Sequence, residues 1–137
     1  MKTRIIVAGC RDFHGYQFIE ETLDAYIKPL EGKVEILSGS APGVDQLGEH
    51  YAIAHNLPLL RFPADWDTHG KSAGPIRNRK MAKYASQADR GVLFAFWDGK
   101  SRGTQSMVYL AQQEMLEVHV IAIPKNKSMT DPIPSKP

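Results

Sequence analysis

The sequence predicts an α/β fold of three layers, a parallel sheet of five strands between helices. Two observations carry this expectation. Short apolar runs alternate with stretches of helical period, and the runs expected as strands one, two and four each lead into a glycine-containing loop. Right-handed crossovers leave few ways to order such strands. A Rossmann-like order, 3-2-1-4-5, is expected, with the first strand central; a flavodoxin-like order, 2-1-3-4-5, fits the same alternation.

The first run, Ile5 to Ala8, ends at Gly9 and reads as a buried strand. From Tyr16 to Leu30 a helical stripe passes through Phe18, Ile19, Leu23, Tyr26, Ile27 and Leu30. Val34 to Leu37 reads as a second strand, closed by Ser38 and Gly39. Val44, Leu47, Gly48, Tyr51 and Ala52 mark a second helix, packed closely at the glycine. Leu59 to Phe62 is a third strand. A long loop, Pro63 to Gly74, precedes a helix with Pro75 in its first turn, running to about Ser86. Gly91 to Phe96 is a fully buried strand, Gly103 to Leu116 a helix, and Val118 to Ile123 the last strand.

A chain of 137 residues suits one domain with one core, expected over residues 1–124. The tail from 125 to 137 has three prolines and no apolar period, and is expected to be disordered. One cysteine, Cys10, excludes a disulfide framework within the chain and fits a reducing compartment. The first apolar run is too short for a signal peptide or a membrane span, so a soluble cytoplasmic protein is expected. A net charge of +2 is too small to argue for a nucleic-acid partner. The five histidines show no metal-ligand spacing, and neither a metal nor a cofactor is expected.

In a sheet of this kind ligands bind beyond the carboxyl ends of the strands. Four loops there are candidates. In the first, Gly9 permits close approach and Arg11 can fork onto a phosphate, or pair with Asp12. Cys10 has no adjacent base and reads as a packed residue.

In the second, Gly39, Ser40 and Gly43 shape a strand-to-helix turn whose free N–H groups suit an anion. Asp45 would repel that anion; it reads as a helix cap or as an acceptor for a ribose hydroxyl. Asp45 and Glu49 lie one helical turn apart. They are the candidates for acid/base chemistry, against a plainer expectation that both face solvent.

The third loop brings Trp66 and His69 for stacking. Lys71, Arg77, Arg79 and Lys80 gather around a helix N-terminus, where cations are expected only beside an anion. In the fourth, Gly99-Lys100-Ser101 has the wrong spacing for a P-loop, because the required glycine position is Phe94. Gly103 and Thr104 still offer an N–H and a hydroxyl to an anion at the start of a helix.

The ordered series VAGCRDF, SGSAPGVDQLGEHYA, FPADW, GKSAGPIRNRKM and FWDGKSRGTQSM resembles the YspA, cpYpsA-related branch of the SLOG superfamily, from residue 4 to about 123. The resemblance implies a Rossmann-like fold and a nucleotide or nucleotide-derived ligand. Its wider relatives include the Lonely guy phosphoribohydrolases and the DNA-processing A proteins. Of the hydrolases' R-K-x-x-M motif, Arg77 is kept and Asn78 stands at the lysine. Of P-G-G-x-G-T-x-x-E, Gly103 and Thr104 are kept. Lys100 and Ser101 replace the paired glycines and Met107 replaces the glutamate. A thioether cannot act as a base or stabilise an oxocarbenium ion. Cys10 stands where the branch more often has serine.

The reading is a binding module for a nucleotide or its derivative, in the manner of a sensor, through Gly9, Arg11, Gly39, Ser40, Gly43, Asp45, Trp66, Lys71, Arg77, Asn78, Gly103 and Thr104. Two alternatives stand beside it. One is an enzyme cleaving N-glycosidic bonds, with Asp45 or Glu49 in place of the lost glutamate. The other is a single-stranded nucleic-acid binder using the basic cluster with Trp66 and Trp97. A homo-oligomer is expected to bury the apolar stripe Met107, Val108, Leu110, Met115 and Leu116.

Overall fold

The computed structural model describes residues 1–124; the tail expectation lies outside the described residues. The strands β1 (Lys2–Gly9), β2 (Lys33–Ser38), β3 (Leu59–Arg61), β4 (Arg90–Trp97) and β5 (Glu117–Ala122) form one sheet in the order β3-β2-β1-β4-β5. Every neighbouring pair is parallel. The Rossmann-like order is therefore the one adopted.

Side chains of β1 alternate between the two faces of the sheet, as a strand's period of two requires. Ile5 and Val7 enter a core cluster with α1 (Tyr16–Ile27) and α2 (Val44–Ala54). Ile6 and Ala8 enter a second cluster with α4 (Ala73–Ser86) and α5 (Arg102–Gln113). Gly48 lets α2 lie against β1, since a Cβ there would press on Val7.

Helix α1 stops at Ile27, three residues short of the apolar stripe's end. Lys28 is still helical, its N–H bonding the Asp24 carbonyl, but Pro29 has no N–H to carry the ladder further and so sets the boundary. The connection expected as a loop at 63–74 contains α3 (Trp66–His69) and a 3₁₀ turn at Gly70–Ser72. Asp65 caps α3 by accepting from the Thr68 N–H at 3.1 Å.

Helix α5 ends at Gln113 in a Schellman turn. Met115 takes φ +60°, its N–H bonds the Gln112 carbonyl, and the Leu116 N–H bonds the Ala111 carbonyl. This corrects the expected stripe. Met107 and Leu110 are buried against the chain's own sheet, Val108 and Leu116 pack half-buried beside them, and Met115 is turned out, 90% exposed. Within the chain, then, Met107 and Leu110 serve its own sheet while Met115 faces outward. No helix among the described residues is long and apolar enough to cross a membrane.

Candidate functional site

The connections leave β1 in opposite directions, through α1 toward β2 and from β3 through α4 toward β4, so the loops beyond β1, β2 and β4 splay apart around one cleft. The loop from β2 to α2 forms one wall, and three charged side chains pin three consecutive residues of it. Arg77 of α4 donates from Nη1 to the Gly39 carbonyl. Glu49 accepts at Oε2 from the Ser40 hydroxyl and from the Ser38 hydroxyl, both at 2.8 Å. Asp45 accepts at Oδ2 from the Ala41 N–H at 3.2 Å.

The backbone of this loop is constrained to match. Ser40 sits at φ +61°, a region that non-glycine residues rarely enter. Gly43 takes φ +80°, and a Cβ there would strike the carbonyls of Cys10 and Arg11. A Cβ on Gly39 would strike Arg77 and Asp45. Gly9 is packed from behind: its Cβ would meet the Phe96 carbonyl and Val44. Gly9, Gly39 and Gly43 therefore serve the close approach of the protein's own groups.

Asp45 is neither the N-cap of α2, which is Gly43, nor solvent-facing, as the sequence reading expected. Its position in the first helical turn folds the carboxylate back over the loop. It is 6% exposed. Burial pushes its pKa up to about 6, against the opposing pull of the Ala41 N–H and the Arg77 charge; Glu49 raises it further.

Glu49 is likewise turned inward. Burial works to raise its carboxyl, but the bonds from Ser40, Ser38 and Arg61 outweigh it and hold the group below the ordinary range. The Arg61 Nε reaches Glu49 Oε1 at 3.0 Å. Two hydroxyls on Oε2 and Arg61 on Oε1 thus hold Glu49 as an ionised acceptor.

Between this wall and α5 lies a cavity of about 160 Å³ whose lining includes Arg11, Asp45, Arg77, Asn78, Gly103 and Thr104. Ala8, Met81 and Met107 contribute its apolar part. Neither Arg11 nor Arg77 forms an ion pair among the described residues, Asp12 included. Burial pulls the Arg77 guanidinium below its usual range; Asp45 offsets part of this and Arg11 adds to it. Two cations thus face one small space without a carboxylate closing on either.

Asn78, 6% exposed, accepts at Oδ1 from the Arg77 Nε at 2.8 Å. That bond orients the amide. The residue lines the cavity, and its nitrogen donates to no protein acceptor among the described residues.

The turn from β4 to α5 is locally built. Asp98 Oδ1 accepts from the N–H groups of Lys100 and Ser101, both at 2.8 Å. These bonds hold the Asp98 carboxyl below the ordinary range. Gly99 takes φ +82° with open space around it. Ser101 caps α5 by accepting from the Thr104 N–H at 3.4 Å. The N–H groups of Arg102 and Gly103 lie ahead of the first helical hydrogen bonds and remain unmatched within the helix. Gly103 lines the cavity, so this helix end and its positive dipole meet the same space as the two arginines.

A second, outer cavity of about 320 Å³ shares Arg11, Ala41 and Arg77 with the first and is also lined by Ser40, Pro63 and Trp66. Trp66 is 51% exposed. Lys71 stands exposed on the 3₁₀ turn and lines neither cavity. Trp97 lines a different cavity with Lys100 and Val120, and its Nε1 donates to the Ser101 carbonyl at 2.9 Å. The two tryptophans thus form no common stacking track. Cys10 is buried, and burial with the nearby charges of Asp98 and Asp12 raises its thiol to about 11, which disfavours the thiolate.

Residues 3–69 match the sequence model of the YspA, cpYpsA-related SLOG family. Over those residues the chain is similar to that family. The SLOG match takes in the loops after β1 and β2 and reaches Trp66; Arg77, Asn78 and the β4–α5 turn lie beyond it. Over 120 residues the chain is 27% identical to the Gene 61 protein of Mycobacterium phage D29, covering 84% of this chain and 93% of that protein. No solved structure gives a significant match.

Proposed function

We propose that this protein binds a nucleotide or a nucleotide-derived molecule in the two joined cavities at the carboxyl edge of the sheet. The observation that carries the reading is the pair Arg11 and Arg77, both lining one cavity at the N-terminus of α5, neither in an ion pair. An anion there gains the Arg11 fork, the Arg77 charge with its Nη2 donors, the helix dipole, the Gly103 N–H and the free Asn78 amide. A phosphate is the anion best matched to that donor set. Asp45, on the same lining, asks for a donor, which a sugar hydroxyl beside the phosphate supplies. The outer cavity offers the face of Trp66 to a base, with Arg11 and Arg77 common to both spaces.

Such a site suits recognition without turnover, and hence a sensor. Met107 lies on the apolar lining where the related hydrolases place their glutamate. A second reading draws on Asp45 alone. Its carboxyl, raised to about 6 in a cleft, has the environment of a general acid, and cleavage of an N-glycosidic bond is the reaction it would serve. Incubation of the purified protein with a panel of nucleoside monophosphates, followed by calorimetry and chromatography, separates the two. Saturable binding with no free base released supports the sensor. Base release by the wild type that is lost in Asp45→Asn would establish the enzyme.

A further inference from the structure

We propose that Glu49 is a positioning residue for this site: from behind the wall it locks Ser40 into its left-handed conformation and thereby sets the acceptor to which Arg77 is moored. The inference rests on the nucleotide reading for its ligand, but its geometry stands apart from any ligand. Glu49 lines neither the inner nor the outer cavity. Its Oε2 receives the hydroxyls of Ser38 and Ser40, and its Oε1 receives Arg61 Nε. Ser40 N–H in turn donates to the Ser38 hydroxyl oxygen at 3.0 Å. One carboxylate therefore ties the end of β2, the strained residue after it and the end of β3 into a single unit.

Ser40 is the residue that needs such a tie. A serine at φ +61° relaxes to the negative-φ regions unless its surroundings forbid it. Its neighbours are the two loop residues that meet the site: the Gly39 carbonyl receives Arg77, and the Ala41 N–H reaches Asp45. A peptide flip at Ser40 would move both. Arg77 would lose its mooring while Asp45 lost its donor. The anion site would then lose its geometry with no cavity-lining side chain altered.

A set of variants reads this directly. Glu49→Ala removes the acceptor, Glu49→Gln keeps one oxygen and lets the serine hydroxyls reverse their bonds, and Ser40→Gly removes the steric reason for the lock. Amide hydrogen exchange over residues 39–41, measured without ligand, is expected to rise at least about tenfold in Glu49→Ala. It is expected to stay near wild type in Glu49→Gln, and Ser40→Gly placed in the Glu49→Ala background is expected to bring it most of the way back. AMP affinity measured by calorimetry should follow the same order, lost by about tenfold or more in Glu49→Ala and largely regained in the double variant. Melting temperatures guard against global unfolding, and Glu49→Gln remains informative should Glu49→Ala fold poorly, because its near-wild-type affinity is itself required. Unchanged exchange in Glu49→Ala, or raised exchange with undiminished AMP affinity, would overturn the inference. Failure of the wild type to bind AMP would instead strike the nucleotide reading, and the exchange comparison would then decide the role of Glu49 alone.

Discussion

The turn from β4 into α5 is held by its own residues 98–104, whereas the loop from β2 into α2 is held by side chains that arrive from α2 and α4. Both deliver backbone to the same cavity. The first relies on an aspartate whose acceptors are used two and three residues on, then on a serine cap. The second relies on Arg77, which is 38 positions along the chain from the carbonyl it holds. The local turn exposes its charge to water; the remote one buries it. Local coding gives a helix end with free N–H donors, while remote coding gives the cavity its buried charges.

The sharpest way to separate the two regions is pH. Asp45 has its pKa raised from an ordinary 3.8 to about 6 in the folded protein. A raised carboxyl means that the folded state holds the proton more tightly than the unfolded state. Its contribution is present in full below pH 3.8 and is lost as pH rises through about 6. The loss amounts to roughly 3 kcal/mol. Chemical denaturation of the wild type should therefore show stability falling across that window relative to Asp45→Asn. Asp98 is shifted the other way, so its contribution is present above its ordinary 3.8 and is lost on acidification. Asp98→Asn should flatten the acid limb instead. Parallel pH profiles for Asp45→Asn and the wild type would remove the contrast.

A smaller effect is expected in binding. Arg77→Ala removes a charge-assisted contact worth about 1.5–3 kcal/mol, which weakens a nucleoside monophosphate by about ten- to a hundredfold. Lys100→Ala is the matched control on the local turn: Lys100 lines the cavity beside Trp97, and its loss should leave affinity unchanged in the same titration. The smallest effect belongs to Ser101→Ala. Losing the cap of α5 should cost about 1 kcal/mol of stability in denaturant, and affinity should fall less than in Arg77→Ala, because Ser101 meets the cavity as a neutral hydroxyl that also receives Thr104.

The contrast also explains what the sequence made legible. Five apolar runs and four helical stripes were enough for a parallel sheet between helices, since burial on both faces writes continuous apolar strands, but the choice between two strand orders came only with the fold. The glycines of the edge loops and the start of α5 could be read locally. The ends of helices were read less well: Pro29 cut α1 short, and the left-handed Met115 turned an expected stripe residue to solvent. Asp45 and Glu49 resisted local reading altogether. Their spacing puts them on one helical face, but only the folded chain brings Ser38, Ser40, Arg61 and Arg77 to that face. Lys71 was placed by charge alone, and the 3₁₀ turn carries it outward.

The central claim is that paired cations at the N-terminus of α5 recognise a phosphate carried on a nucleoside. Calorimetric titration of the wild-type protein with each nucleoside monophosphate beside its parent nucleoside tests it most directly. The account predicts saturable heat for at least one monophosphate and affinity at least about tenfold lower for the nucleoside lacking the phosphate. Equal affinity for the two members of every pair, or no binding by any monophosphate, would contradict it.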